Sequence, residues 1–180
     1  RQNVGESRRL GIEVDASIQL TDQWLWKPNL AFSSNKNLDF YFKRDGILKN
    51  LGETQLAFSP NAVLGNAIIF APSTGFQIGL LSKYVGKQYM GNIDAENSTL
   101  AAYFVSDLNA VFTWQSKRWV KEIQWSTTIN NIFNLKYESN GYFYTYDDDF
   151  SSPGQITTIE GAGYYPQAGI HFLTGLKLTF

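Results

Sequence analysis

Apolar and polar residues alternate one for one along most of this chain, in runs longer than the five or six residues of about an average globular strand. The last segment shows it well. Ala168, Ile170, Phe172, Leu176, Leu178 and Phe180 share one face of an extended strand, and Gln167, Gly169, His171, Gly175, Lys177 and Thr179 share the other. Only Leu173 and Thr174 break the pattern. Such a strand suits a membrane barrel, with one face to lipid and one to a wet lumen, or the closing strand of a soluble sandwich.

The other runs favour the membrane. Ile12, Val14, Ala16, Ile18 and Leu20 alternate with Gly11, Glu13, Asp15, Ser17 and Gln19. Ile123, Trp125, Thr127, Ile129 and Phe133 alternate with Glu122, Gln124, Ser126, Thr128 and Asn130. Leu100, Ala102, Phe104, Leu108, Ala110, Phe112 and Trp114 oppose Tyr103, Asp107, Asn109 and Thr113, and Phe76, Ile78 and Leu80 oppose Gln77, Gly79 and Lys83. Runs of about ten residues are what a tilted strand needs to cross a bilayer. Connections also alternate between short and long. Thr21 to Gln23, Ser73 to Gly75 and Gln115 to Lys117 read as tight turns, whereas Asn35 to Leu56, Gly91 to Thr99 and Glu138 to Gly163 read as long loops. Short turns on the periplasmic side and long loops outside are the habit of transmembrane barrels.

The expectation is an all-β, antiparallel, up-and-down transmembrane β-barrel with seven strands over 6–20, 24–34, 61–71, 76–90, 100–114, 119–137 and 165–180. Ile12, Ile18, Ile78, Leu108, Phe112, Ile123, Ile129, Ile170 and Leu176 are expected to face lipid. Glu13, Gln19, Lys83, Asp107, Asn109, Gln124, Thr128 and Lys177 are expected to face the lumen. Single-chain bacterial barrels close on an even number of strands, so seven suggest part of a larger wall. The mean hydropathy of -0.24 fits this, because half of such a wall faces water. Aromatics make up 16% of the chain, and several Trp and Tyr fall near strand ends, where amphipathic rings settle at the membrane interface. A net charge of -1 gives no electrostatic case for a nucleic-acid partner. Arg1 to Val4 lacks the apolar core of a signal peptide, so a mature or internal start is expected.

Several segments carry a resemblance. Ser59-Pro60-Asn61, the run Ser82 to Asn92 (SKYVGKQYMGN), Ala102 to Val105, Asn130-Asn131-Ile132-Phe133-Asn134, Lys136 to Gly141 and Tyr164 to Ala168 occur in a family's order over essentially the whole chain. Together they resemble the C-terminal barrel of TonB-dependent outer-membrane receptors of the Bacteroidetes type. The resemblance implies a 22-stranded barrel in the outer membrane of a Gram-negative bacterium, with residues 1–180 as its C-terminal part. It also implies an N-terminal plug, not present in these residues, and energy from the TonB complex. The cargo would be a scarce nutrient: an iron-siderophore, haem, cobalamin or an oligosaccharide. Implied partners are outer-membrane lipid, the remainder of the barrel and plug, the barrel assembly machinery and a possible surface lipoprotein. Gly175, Leu176, Leu178 and Phe180 resemble the C-terminal signal read by that machinery. The alternative is a non-transport outer-membrane barrel, porin-like or adhesive.

No catalytic grouping is visible, and neither an enzyme nor a cofactor is expected. His171, the single histidine, has no second ligand at metal spacing and reads as structural. Glu13 and Asp15 read as lumen carboxylates rather than an acid-base pair. The sharpest candidate site is the segment from Tyr142 to Phe150. Tyr142, Tyr144 and Tyr146 offer stacking area at low entropic cost, and Asp147, Asp148 and Asp149 could hold a cation or a cationic ligand. The segment is nevertheless expected to be a solvated, mobile outer loop whose rings pack on neighbouring loops, with ligand contact as the alternative.

Overall fold

The computed structural model describes residues 5–116 and 119–180. The expectations for Arg1 to Val4, and for Lys117 in the third turn, lie outside the described residues. Seven long strands form the body: β1 (Glu6–Asp15), β2 (Trp24–Leu38), β3 (Ala62–Ser73), β4 (Phe76–Val85), β5 (Tyr103–Gln115), β6 (Glu122–Asn130) and β7 (His171–Thr179). They are hydrogen-bonded in chain order, each antiparallel to the next. Among the described residues the sheet is open, with β1 and β7 at its edges. No helix in it is long and apolar enough to cross a membrane, which bears only on helices and not on strands.

Register explains why the alternation is so clean. Ile18, Trp26, Ile68, Leu80, Leu108, Ile129 and Phe172 stand opposite one another in a single row across the whole sheet. Because the side-chain period is two, this row fixes every strand's apolar set to one face. Eight of the nine residues expected to face lipid fall on that face, and the eight expected to face the lumen fall on the other; the ninth, Ile170, precedes the last strand and takes no place in the ladder. The row begins at Ile18, next to a short turn, and ends at Phe172, next to a long loop. Neighbouring strands are therefore staggered, as tilted strands of a barrel must be.

Among the described residues nothing forms a second layer against the apolar face. Ile12 is 72% exposed, Phe172 71% and Leu176 66%. Several polar groups in its middle bond sideways within the sheet. The Trp26 indole donates to Asn66 Oδ1 at 2.6 Å, the Ser82 and Ser106 hydroxyls share a bond of 2.8 Å, and Trp125 Nε1 donates to Thr174 Oγ1 at 2.7 Å. An apolar solvent demands this, since it offers such groups no partner.

Several boundaries differ from the sequence expectation. The first run, 6–20, is interrupted at Ala16 and Ser17 and resumes as Ile18–Gln19. Pro28 stands opposite the break; it accepts from Ala16 N–H at 3.1 Å but has no N–H to return. The sixth run, 119–137, forms a strand only over Glu122–Asn130, because Asn131 and Asn134 take left-handed backbone (φ 51° each). The fourth run ends at Val85, and Gln88–Tyr89 pairs instead with Thr99–Leu100 in a loop. Leu100 therefore leaves the wall and is buried there. The seventh run starts at His171 rather than 165.

The long connections are themselves structured. Residues 39–61 contain the hairpin Tyr41–Arg44/Ile47–Asn50, and 131–170 contain the hairpin Glu138–Asp148/Thr157–Pro166. Reading Glu138 to Gly163 as a plain loop is corrected by the second of these. Phe40, Leu56, Met90 and Leu100, buried apolar side chains of the described residues, belong to these connections rather than to the wall. The packed core thus sits at the base of the long loops.

Candidate functional site

The long-loop end is where side chains from distant parts of the sequence converge. The hairpin between β2 and β3 turns on Asp45 and Gly46, both with positive φ (53° and 75°), the geometry that an Asp-Gly pair supplies for a two-residue turn. Asp45 meets Thr158 of the later hairpin twice. Its N–H donates to Thr158 Oγ1 at 2.7 Å, and its Oδ1 accepts from Thr158 N–H at 2.9 Å. Beside this, Lys43 pairs with Asp147 at 3.2 Å and Arg44 pairs with Glu160. The β4–β5 connection joins in: Asn97 donates to Glu160 Oε2 at 3.1 Å, and the Tyr164 hydroxyl donates to the Asn97 carbonyl at 3.0 Å. Three loops are held in one clasp. Two further side chains tie loops at its base, where Asp94 and Asn92 accept the N–H groups of Gln55 and Ala57 at 2.8 Å each.

Strand alternation gives the Glu138–Asp148/Thr157–Pro166 hairpin two unlike faces. Gly141, Phe143, Thr145 and Asp147, with Thr158, Glu160 and Tyr164, dock on the neighbouring loops; Phe143 lies against Gly91 and Met90 against Gly141. Tyr142, Tyr144 and Tyr146 point the other way and remain about half exposed. Their rings are nearly parallel, with centroids 6.2 and 6.4 Å apart, and Tyr165 adds a fourth ring 6.0 Å from Tyr142. Tyr142 lies over Gly163 and Tyr144 over Gly161, so a Cβ at either glycine would collide with the ring above it.

The three aspartates of the candidate site are separated by the same alternation. Asp147 is on the docked face; its hydrogen bonds from Lys43 and then from Thr158 hold its carboxyl below the usual carboxylate range. Asp148 lies on the opposite face and accepts from the N–H groups of Phe150 (3.2 Å) and Ser151 (3.0 Å) in its own turn. Hydrogen bonds from Ser151 hold its carboxyl low as well. Asp149 follows the end of the strand. Among the described residues no group of three or more His, Cys, Asp or Glu is placed to hold a metal ion. His171 opposes Asn130 on the polar face, and its Nδ1 lies 2.9 Å from the Gly169 carbonyl.

At the other end, Leu176 opposes Trp125 and Leu178 opposes Ile123 on the apolar face, while Gly175 opposes Ser126 on the polar face. Phe180 lies one residue beyond the last paired position, Thr179, and is exposed. Gly175 to Phe180 therefore presents an apolar face together with the free edge of β7.

Lys43, Arg44, Asp45, Asn97, Thr158 and Glu160 were not singled out by sequence reasoning. One signal was available: Asp45-Gly46 between Tyr41-Phe42 and Ile47-Leu48 is a strong local hairpin sign. The Asn-Asn-Ile-Phe-Asn segment also acquires a physical role. Asn131 is buried; it donates to the carbonyls of Leu135 (2.8 Å) and Ala168 (3.1 Å) and accepts from Leu135 N–H (2.9 Å), while Asn134 accepts from Ile170 N–H at 3.0 Å. These bonds seat the start of β7 beside the end of β6.

No protein-family model matches the chain, nor does any curated protein. Solved structures do resemble it. The siderophore receptor PiuA from Acinetobacter baumannii superposes with a TM-score of 0.64 at 16% identity over 97% of this chain and 22% of its own. The copper transporter OprC gives 0.61 at 20% identity, covering 97% of this chain and 24% of its own. A mutant ferric enterobactin receptor, PfeA, from Pseudomonas aeruginosa gives 0.61 at 17% identity, covering 99% and 23%. The chain spans about a quarter or less of the length of these proteins. At such identities the likeness is one of fold, and the fold shared is the antiparallel β-barrel wall of these receptors and transporters.

Proposed function

We propose that these residues form the C-terminal part of the wall and mouth of a TonB-dependent receptor in the outer membrane of a Gram-negative bacterium. Its task is uptake of a scarce nutrient. The observation that carries the reading is the unbroken apolar row from Ile18 to Phe172, staggered across seven strands, with every long connection at one end. Lipid covers the apolar face, and a lumen filled by a plug faces the other. The open edges at β1 and β7 call for further strands, a 22-stranded ring in the resemblance noted above. The Bacteroidetes-type assignment, the plug, the TonB complex and a surface lipoprotein belong to this proposal. Tyr142, Tyr144 and Tyr146 lie at the mouth, where a ligand arrives first; Asp147 and Asp148 serve the hairpin's own structure.

Deletion of the full-length gene, with complementation in strains with and without TonB, tests the reading. The expected result is an outer-membrane protein whose loss, like loss of TonB, abolishes growth on the limiting nutrient. Complementation that is indifferent to TonB would support a porin-like or adhesive barrel instead. A second proposal concerns assembly. A strand with a free edge and an apolar face can add to another sheet edge through backbone hydrogen bonds, and we assign Gly175, Leu176, Leu178 and Phe180 that role toward the barrel assembly machinery. Deleting Phe180 from the full-length protein should lower the amount inserted far more than Phe172→Leu does; equal insertion would defeat the assignment and leave the wall intact.

A further inference from the structure

We infer that the outward face of the Glu138–Asp148/Thr157–Pro166 hairpin is a stacking platform for a neutral oligosaccharide. The inference rests on the receptor reading for placing this hairpin at the outer mouth, and names the class of ligand. Tyr146, Tyr144, Tyr142 and Tyr165 follow one another in steps of 6.4, 6.2 and 6.0 Å. That is a track of four rings, so its occupant is a chain of rings rather than a single one.

The platform is held in place from beneath. Gly161 and Gly163 let the Tyr144 and Tyr142 rings settle against the neighbouring strand, where any side chain would displace them. The face below is pinned by Asp45–Thr158, Lys43–Asp147 and Arg44–Glu160. Rings already fixed lose little freedom when a ligand binds, which is how exposed tyrosines become useful contacts rather than mobile surface.

Charge selects the ligand. The residues sharing this face are Asn140, Asp148, Thr157, Ile159 and the two glycines, with no Lys or Arg among them. The cations nearest in the clasp, Lys43 and Arg44, are engaged by carboxylates from the hairpin's other face. An anionic chelate would therefore meet electron-rich ring faces and a carboxylate without a compensating cation. A cationic ligand would find the Asp148 carboxylate only past Tyr146 at the tip of the track, with its Oδ1 already accepting from two amides of its own turn. A pyranose ring suits what remains. Its C–H face carries partial positive charge and lies well on the negative face of an aromatic ring, while its hydroxyls can reach phenol oxygens and the Asn140 amide.

The test uses the full-length receptor, purified folded in detergent as judged by its heat-modifiable gel mobility. Calorimetric titration with neutral hexasaccharides of glucose, xylose and mannose, with the matching monosaccharides, and with a ferric catecholate chelate measures the preference. At least one hexasaccharide should bind, and its monosaccharide at least tenfold more weakly. Tyr144→Ala should weaken hexasaccharide binding about tenfold, in line with the loss of one stacking partner, while Tyr144→Phe should retain most of it. The inference is overturned if no hexasaccharide binds the folded wild type, if the chelate alone binds, or if Tyr144→Ala leaves glycan affinity unchanged. Any of these leaves the receptor reading standing as long as TonB-dependent growth is intact.

Discussion

The wall and the mouth of this molecule are both antiparallel β-structure, yet they are held together by different physics. In the wall, Leu108 is flanked by Leu80 and Ile129 on one face while Asn109 and Thr128 share a hydrogen bond of 3.0 Å on the other. Two environments specify two faces, and the register follows. In the mouth, the two hairpins meet through Asp45, Thr158, Arg44 and Glu160, residues more than a hundred positions apart in sequence. Their polar contacts do not impose a period. A sheet between two unlike solvents is written into the local sequence; a sheet docked through polar side chains is not.

A charge on the apolar face should break the wall most severely. Leu108→Arg, midway along β5 on the apolar face, should cost about 2–4 kcal/mol in equilibrium folding of the full-length protein into lipid vesicles, whereas Asn109→Arg on the polar face should cost far less. Equal costs would mean that the two faces do not see different solvents.

The junction of wall and mouth should respond next. Asn131→Ala removes two donated bonds and one accepted bond in a buried position and disfavours the left-handed backbone, so a loss of about 1–3 kcal/mol is expected. Asn131→Gly restores the backbone preference but not the bonds. Amide hydrogen exchange should show the loss confined to residues 131–137 and the start of β7. Exchange that accelerates throughout β1 to β4 as well would show the junction to be part of the wall's own stability.

The clasp should be the most tolerant. Its ion pairs are at least partly exposed, and a double-mutant cycle on Arg44 and Glu160 should return about 1 kcal/mol or less. Proteolytic nicking of the two hairpins should increase in Arg44→Ala while the wall's folding is unchanged.

Acid should act on the same region. Asp147 is held low first by its bond from Lys43, and Glu53 likewise by its bond from Lys36. A carboxylate whose pKa is lowered on folding stabilises the fold above its unfolded value. That contribution is lost as pH falls through the depressed folded value. Nicking should therefore be constant from neutrality down to the ordinary carboxylate range and rise only below it. A rise near neutrality would point to a different group.

These differences also explain what could be read from the sequence. Ile123 to Ile129 announced a strand and both of its faces, because Trp125 and Gln124 belong to opposite solvents. The Glu138–Asp148 strand was hidden, because Phe143 and Thr145 on the docked face are no more apolar or polar as a set than Tyr142, Tyr144 and Tyr146 on the free one. The tyrosines could be named as a ligand-contact candidate, but their arrangement over Gly161 and Gly163 depends on a partner strand some twenty residues away. The clasp was legible only as the Asp45-Gly46 turn. Strand ends were misplaced wherever one residue's backbone decided the matter, at Pro28 and at Asn131.

The central claim is that one face of the seven-stranded sheet meets lipid and the other meets water. Residues 1–180 contain no cysteine, so once any cysteine elsewhere in the full-length protein is replaced, single cysteines can be placed at 123 to 129 and spin-labelled in bilayers. Accessibility to oxygen, against that to a water-soluble nickel chelate, should alternate with period two: lipid at 123, 125, 127 and 129, water at 124, 126 and 128. Uniform access of the chelate to all seven positions would contradict the account.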